Sequence, residues 1–237
     1  MNLDKRLLVI LDFNGTLLHR LKKTGSERIN SKPDFGVNGY KCFLRPYANK
    51  FLQRLFQMPG VEVGVWTSCQ ARNAQLIHAR LFTESQRESL VFLWDRRYCD
   101  NAPAGIKSKN VEKNLSKVWG SRIVNMDGKW DERNTVLIDD SPSKFKKTPF
   151  NGLRIPEFDA TGNSSNGVYS SPLVDSALLT TIAWIESLAT TTVRFDVRQS
   201  LKEHPPFIFC PHTDKLLSVS SKYPIDGIMH SFQHTRF

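Results

Sequence analysis

Cysteine is scarce and scattered in this chain: four residues, Cys42, Cys69, Cys99 and Cys210, with no Cys-x-x-Cys pair. That spacing excludes the usual thiolate zinc sites and a disulfide framework, so the cysteines are expected to be reduced and structural. His204, His212, His230 and His234 also lack metal-site spacing. No run approaches the ~20 apolar residues that a membrane span needs. The short apolar stretch Leu7 to Leu11 reads better as a first strand than as a signal-peptide core. The expectation is therefore an intracellular protein, nuclear or cytoplasmic, with neither signal peptide nor transmembrane segment. No internal repeat is visible. Nor are aromatic and basic residues interleaved as in RNA-binding sheets, which makes nucleic acid the lesser candidate among partners.

What the chain has in excess is positive charge, 33 Lys and Arg against 23 Asp and Glu for a net charge of +10. A basic surface concentrates anions, so phosphorylated or acidic protein, nucleotide and nucleic acid all qualify as partners. The 237 residues, 40% of them apolar, suffice for one α/β domain and are too few for two comfortable ones.

Three apolar strands end in chemically capable residues. Leu7-Leu8-Val9-Ile10-Leu11 runs into Asp12-Phe13-Asn14-Gly15-Thr16. A buried strand of this kind delivers a carboxylate to the carboxyl end of a parallel sheet, where open α/β folds bind ligands, so Asp12 is the candidate nucleophile. Val61 to Trp66 ends in Thr67-Ser68 and opens a helix over Gln70 to Phe82, with Ala71, Ala74, Ile77 and Leu81 on one side. A hydroxyl at that junction suits a phosphate oxygen. Thr135 to Ile138 ends in Asp139-Asp140-Ser141-Pro142, with Ser141 as N-cap and Pro142 at the first helical position. Paired carboxylates facing a third ask for a hard cation, of which magnesium fits best.

Together these segments carry a resemblance. Asp12-Phe-Asn-Gly-Thr16, Leu44-Arg45-Pro46, Trp66-Thr67-Ser68, Trp94-Asp95-Arg96-Arg97-Tyr98-Cys99, Lys113-Asn114-Leu115 and Ile138-Asp139-Asp140-Ser141-Pro142 resemble the haloacid dehalogenase superfamily. Within it, the chain is similar to the RNA polymerase II CTD-phosphatase homology domain, or NLI-interacting-factor-like, family. The resemblance implies a Rossmannoid parallel sheet flanked by helices, with a loop insertion near the active site. It implies a magnesium-dependent phosphatase working through an aspartyl-phosphate on Asp12 and acting on phosphoserine or phosphothreonine in protein. Thr16, Thr67, Ser68 and Lys113 would bind phosphate, while Asp12, the Asn14 backbone carbonyl and Asp139 or Asp140 would hold the metal. Asp140 is the preferred direct ligand and Asp139 the partner of Lys113, with the reverse nearly as good.

The family's nucleophile motif reads Asp-x-Asp-x-Thr, and this chain departs from it at Asn14. An amide passes no protons at physiological pH. Two further readings follow: a catalytically weak or inactive binding module that kept the fold, and a small-molecule or nucleotide phosphatase. Along the chain, residues 1–190 are expected to form the phosphatase-like domain and 191–237 a C-terminal extension with strand-like pieces, Val193, Phe195 and Val197 in alternation and the apolar Phe207-Ile208-Phe209. His19 to Tyr40 reads as a long loop over the site, and Tyr47 to Met58 as a helix with Arg45-Pro46 as its starting device. Leu90 to Trp94 and Gly152 to Ile155 read as strands, Asp100 to Lys109 as a second loop, and Ser176 to Leu188 as an amphipathic helix.

Overall fold

The computed structural model describes residues 6–23, 29, 32–102, 110–161, 175–191, 195–210, 212 and 215–223. Its centre is β1 (Leu7–Leu11), all five residues of which are buried because both faces of the sheet are covered. The other strands are β5 (Val61–Trp66), β6 (Leu93–Trp94), β7 (Thr135–Asp139) and β8 (Gly152–Arg154). All pair in parallel in the order β6-β5-β1-β7-β8. The chain runs outward from β1 to β6, then returns to the far side of β1 for β7. That reversal places the topological switch at the carboxyl end of β1, where such sheets open a ligand crevice.

The alternation of β1 feeds two cores. Leu7, Val9 and Leu11 join a cluster with α1 (Ala48–Gln57), α2 (Ala71–Leu81) and α5 (Ala177–Thr190), whereas Leu8 and Ile10 join Trp66, Trp94, Val118, Trp130 and Phe145 on the other face. Contact is close at Gly152, where an added Cβ would sit 2.1 Å from the Phe145 ring. A short helix, α3 (Glu84–Glu88), starts on a capping box between Thr83 and Gln86. Another, α4 (Ser116–Trp119), brings Val118 to the second core.

Several elements differ from the sequence expectation. The His19 to Tyr40 stretch is no plain loop: β2 (Leu18–Lys22), β3 (Phe35–Val37) and β4 (Tyr40–Leu44) form an antiparallel sheet in the order β2-β4-β3. Dense basic and polar residues hid a pairing that β4 supplies from outside the stretch. Pro46 lies before the helix, because Tyr47 takes a left-handed backbone (φ 67°) as N-cap of α1. Ser141 occupies the N-cap position before the 3₁₀ turn Pro142–Phe145 but makes no side-chain cap bond; its hydroxyl donates to Asp140 instead. Ala71 is half-buried, and regular pairing in Leu90 to Trp94 is confined to the last two residues. α5 is buried nearly all round rather than amphipathic. Residues 103–109 of the second expected loop lie outside the described residues.

Beyond residue 190, Val197 opens a helix, α6 (Val197–Glu203), because the Asp196 carboxylate caps it at the Arg198 N–H. β9 (Phe207–Phe209) and β10 (Leu216–Val219) form an antiparallel pair. Val197, Phe207, Leu216 and Tyr223 pack into the cluster that holds α1 and α5. Among the described residues none of the four cysteines is in a disulfide. Among the described residues no helix is long and apolar enough to cross a membrane.

Candidate active site

Asp12 emerges from β1 with its N–H donating to Ile138 O on β7 (3.1 Å), so the central ladder fixes where its carboxylate starts. The chain then turns sharply: Leu17 and Leu18 N–H groups donate to Phe13 O, and the Gly15 N–H donates to Leu18 O (2.8 Å). Gly15 sits at φ 84°, and a Cβ there would lie 2.6 Å from Cγ and Oδ1 of Asp140. Glycine is required both for the turn and for the close approach of that carboxylate.

Lys113, fully buried, reaches in from the segment before α4 and donates to Asp12 Oδ1 (2.7 Å) and Asp139 Oδ2 (2.6 Å). Its own N–H donates to Lys144 O. Of the other lysines near it in sequence, Lys117 pairs with Asp100, while Lys107 and Lys109 lie outside the described residues. The second oxygen of Asp139 accepts from the Ser141 N–H (2.9 Å), so Asp139 is occupied at both ends. Among the described residues Asp140 receives only the Ser141 hydroxyl (3.2 Å) at Oδ2, and its Oδ1 lies toward Gly15.

The electrostatics follow from three carboxylates around one ammonium. Burial alone would lower the Lys113 ammonium, but Asp12 and Asp139 outweigh it and hold the group above its usual range. Burial pushes the Asp139 carboxyl up to about 6, with Lys113 opposing and Asp12 reinforcing the rise. Asp140 is raised well above the carboxylate range by burial and then by the charges of Asp139 and Asp12. One oxygen from each of Asp12, Asp139 and Asp140 can be chosen so that all lie within 4.8 Å of one another. A surplus of negative charge on oxygen donors fits a hard divalent cation, which would relieve that repulsion.

The remaining expected residues are distributed unevenly. Thr67 is buried at the end of β5; its N–H donates to Trp94 O and its Oγ1 accepts from the Cys69 N–H (3.2 Å), leaving the hydroxyl proton to donate elsewhere. Thr16 is fully buried, with an Oγ1 that has no partner among the described residues. Ser68 is half-exposed beside Thr67. The Asn14 side chain turns toward β2, its Oδ1 accepting from Arg20 N–H (3.1 Å) and Arg20 Nε (3.5 Å).

Arg45 was invisible as a site residue, since an Arg before a Pro reads as a helix-start device. In the structure its buried guanidinium pairs with Asp175 (2.9 Å) and donates to Thr16 O, Gly15 O and Pro156 O. It thereby ties the turn after Asp12 to the chain beyond β8 and to the start of α5.

The model of the NLI interacting factor-like phosphatase family matches residues 7–198. An uncharacterized FCP1 homology domain-containing protein of the yeast Schizosaccharomyces pombe is 31% identical over 166 residues, 68% of this chain; the match spans 65% of that relative's length. The beryllium-fluoride-bound structure of fission yeast RNA polymerase II CTD phosphatase Fcp1 gives a TM-score of 0.42 at 14% identity, covering 84% of this chain and 62% of the other. A second structure of Fcp1 gives 0.43 at 13% identity, covering 97% and 62%.

Proposed function

Since the chain belongs to the NLI interacting factor-like phosphatase family, we propose that it is a magnesium-dependent phosphatase of phosphoserine and phosphothreonine in protein, slowed by Asn14. The observation that carries this reading is the buried Lys113 shared between Asp12 and Asp139 beside a half-open Asp140. Asp12, Asp140 and the Asn14 carbonyl would hold magnesium, with Asp139 behind them fixing Lys113. The charge it supplies when bound offsets the repulsion between carboxylate and phosphate.

Asp12 attacks phosphorus, the bond from phosphorus to the substrate oxygen breaks, and a phospho-Asp12 forms. Thr67 and Thr16 hydroxyls and the Lys113 ammonium hold the phosphoryl oxygens and neutralise charge developing on them. Asn14 can hydrogen-bond the departing oxygen but cannot protonate it, nor take a proton from the water that later attacks phosphorus. General acid–base groups contribute roughly 10² to 10⁴ in rate, so both half-reactions proceed slowly. The same residue supports a second reading, a phosphate-binding module with no turnover.

One experiment separates them. Wild-type protein given an aryl phosphate and magnesium, quenched in acid and examined by mass spectrometry, is expected to carry one phosphoryl group on Asp12. Asn14→Asp should raise steady-state turnover by about 10² or more. The same spectra report deamidation of the Asn14-Gly15 pair in wild-type material. An Asn14→Asp protein that folds and binds magnesium yet neither turns over nor becomes phosphorylated leaves only the binding module.

A further inference from the structure

Arg20 belongs to none of the motif segments, yet it reaches the site from β2. Its backbone N–H and its Nε both donate to Asn14 Oδ1, and its guanidinium carbon lies 5.4 Å from the centre of the Tyr40 ring. Pairing of β2 with β4 sets Arg20 opposite Cys42. Burial raises the thiol of Cys69, in the turn that carries Thr67 and Ser68, and Arg20 is the charge that most opposes this rise. The arginine therefore contacts Asn14, two residues on from Asp12, and its charge is felt in the turn from Thr67 to Cys69. It is half-exposed, and its two Nη nitrogens have no hydrogen-bond partner among the described residues. A planar fork held by its Nε and resting on an aromatic ring is prepared to take an oxyanion through both remaining nitrogens.

We propose that Arg20 is a specificity residue, binding a second oxyanion of the substrate beside the transferring phosphate and so selecting phosphopeptides with a flanking carboxylate or second phosphate. The inference rests on the reading of the Asp12 site as a phosphopeptide site. Asn14 gives the contact its anchor: an amide oxygen aligns the fork without neutralising it, whereas a carboxylate at the same position would compete with the substrate for the charge.

Fluorescence anisotropy at physiological salt tests the idea with three labelled phosphoserine peptides of equal length, flanked by alanines, by two glutamates, or by a second phosphoserine. Because binding is read without turnover, the result is independent of whether Asp12 becomes phosphorylated. Wild-type protein should prefer the anionic-flanked peptides by about tenfold, the usual worth of a charge-assisted bond. The tighter of the two identifies the oxyanion. Arg20→Gln should abolish most of that preference, and Arg20→Lys, which keeps charge but not the fork, should retain part of it. Arg6→Gln, at the opposite end of the sheet, controls for net charge and should preserve it. Absence of a preference in the wild type, its persistence in folded Arg20→Gln, or an equal loss in Arg6→Gln would each overturn the proposal.

Discussion

The two flanks of Asp12 are built to different standards. On one, Asp12, Lys113 and Asp139 form a buried, tightly bonded group whose geometry is set by the central strands, with Asp140 half-open beside it. On the other, Asn14 meets a half-exposed arginine from an accessory sheet. On the proposed reading, the contrast would separate two requirements of phosphoryl transfer: charge neutralisation at the nucleophile on the first flank, proton traffic on the second. Only the second has an amide where the family motif has an acid, so on that reading affinity for phosphate and speed of turnover would be separable properties.

The hardest test of the first flank is to remove its cation. Lys113→Met strands carboxylates in a buried pocket, an arrangement that typically costs about 3 to 5 kcal/mol. Chemical denaturation should show a loss of that size, with no phospho-Asp12 by mass spectrometry. Asp139→Asn in the same background should recover part of the stability by removing one of the stranded charges. A Lys113→Met protein of unchanged stability would mean that the flank is not electrostatically closed.

A smaller effect is expected where the flanks meet. Gly15→Ala places a methyl against the Asp140 carboxylate in a backbone region that costs an L-residue about 1 kcal/mol or more. Magnesium affinity, measured by calorimetry, should fall by about tenfold, the effect common for groups that orient metal ligands. Unchanged affinity would remove Asp140 from the ligand set.

The smallest effect sharpens the comparison by reversing it in solvent. Asp100 is one carboxylate held by two lysines, Lys117 (2.5 Å) and Lys147 (2.8 Å), whose hydrogen bonds pull it down to about 2. A depressed carboxyl contributes stability above its unfolded value of about 3.9 and loses it as pH falls toward the folded one. Wild-type protein should exceed Asp100→Asn by under about 1 kcal/mol at neutral pH, the range of exposed pairs. That gap should narrow as pH drops from about 5 toward 2. A constant gap would assign the effect to packing.

The parts of this molecule that were readable in its sequence are those whose cause is local. Buried parallel strands are continuous apolar runs, so β1, β5 and β7 and the residues at their tips stood out, and so did the apolar stripes of α1 and α2. Lys113 could be singled out from its neighbours only through the motif around it. What stayed hidden depends on distant partners. β2 exists because β4 pairs with it, and Arg45 matters because Asp175 lies 130 positions away. Asn14 announced a missing acid, but nothing near it in sequence announced that Arg20 would occupy its oxygen. The Ser176 to Leu188 stretch looked one-sided, whereas the later segments α6 and β9 share the core that buries it.

The Arg45 clamp also carries a consequence in time. The turn after Asp12 has its carbonyls held by an arginine whose counter-charge, Asp175, is made 130 residues after it. At roughly 5 to 20 residues per second, that delay is on the order of ten seconds of synthesis. Through that interval the nascent chain carries Asp12 on a turn that lacks its buried ion pair, and on the proposed reading phosphoryl transfer would wait until Asp175 has been translated.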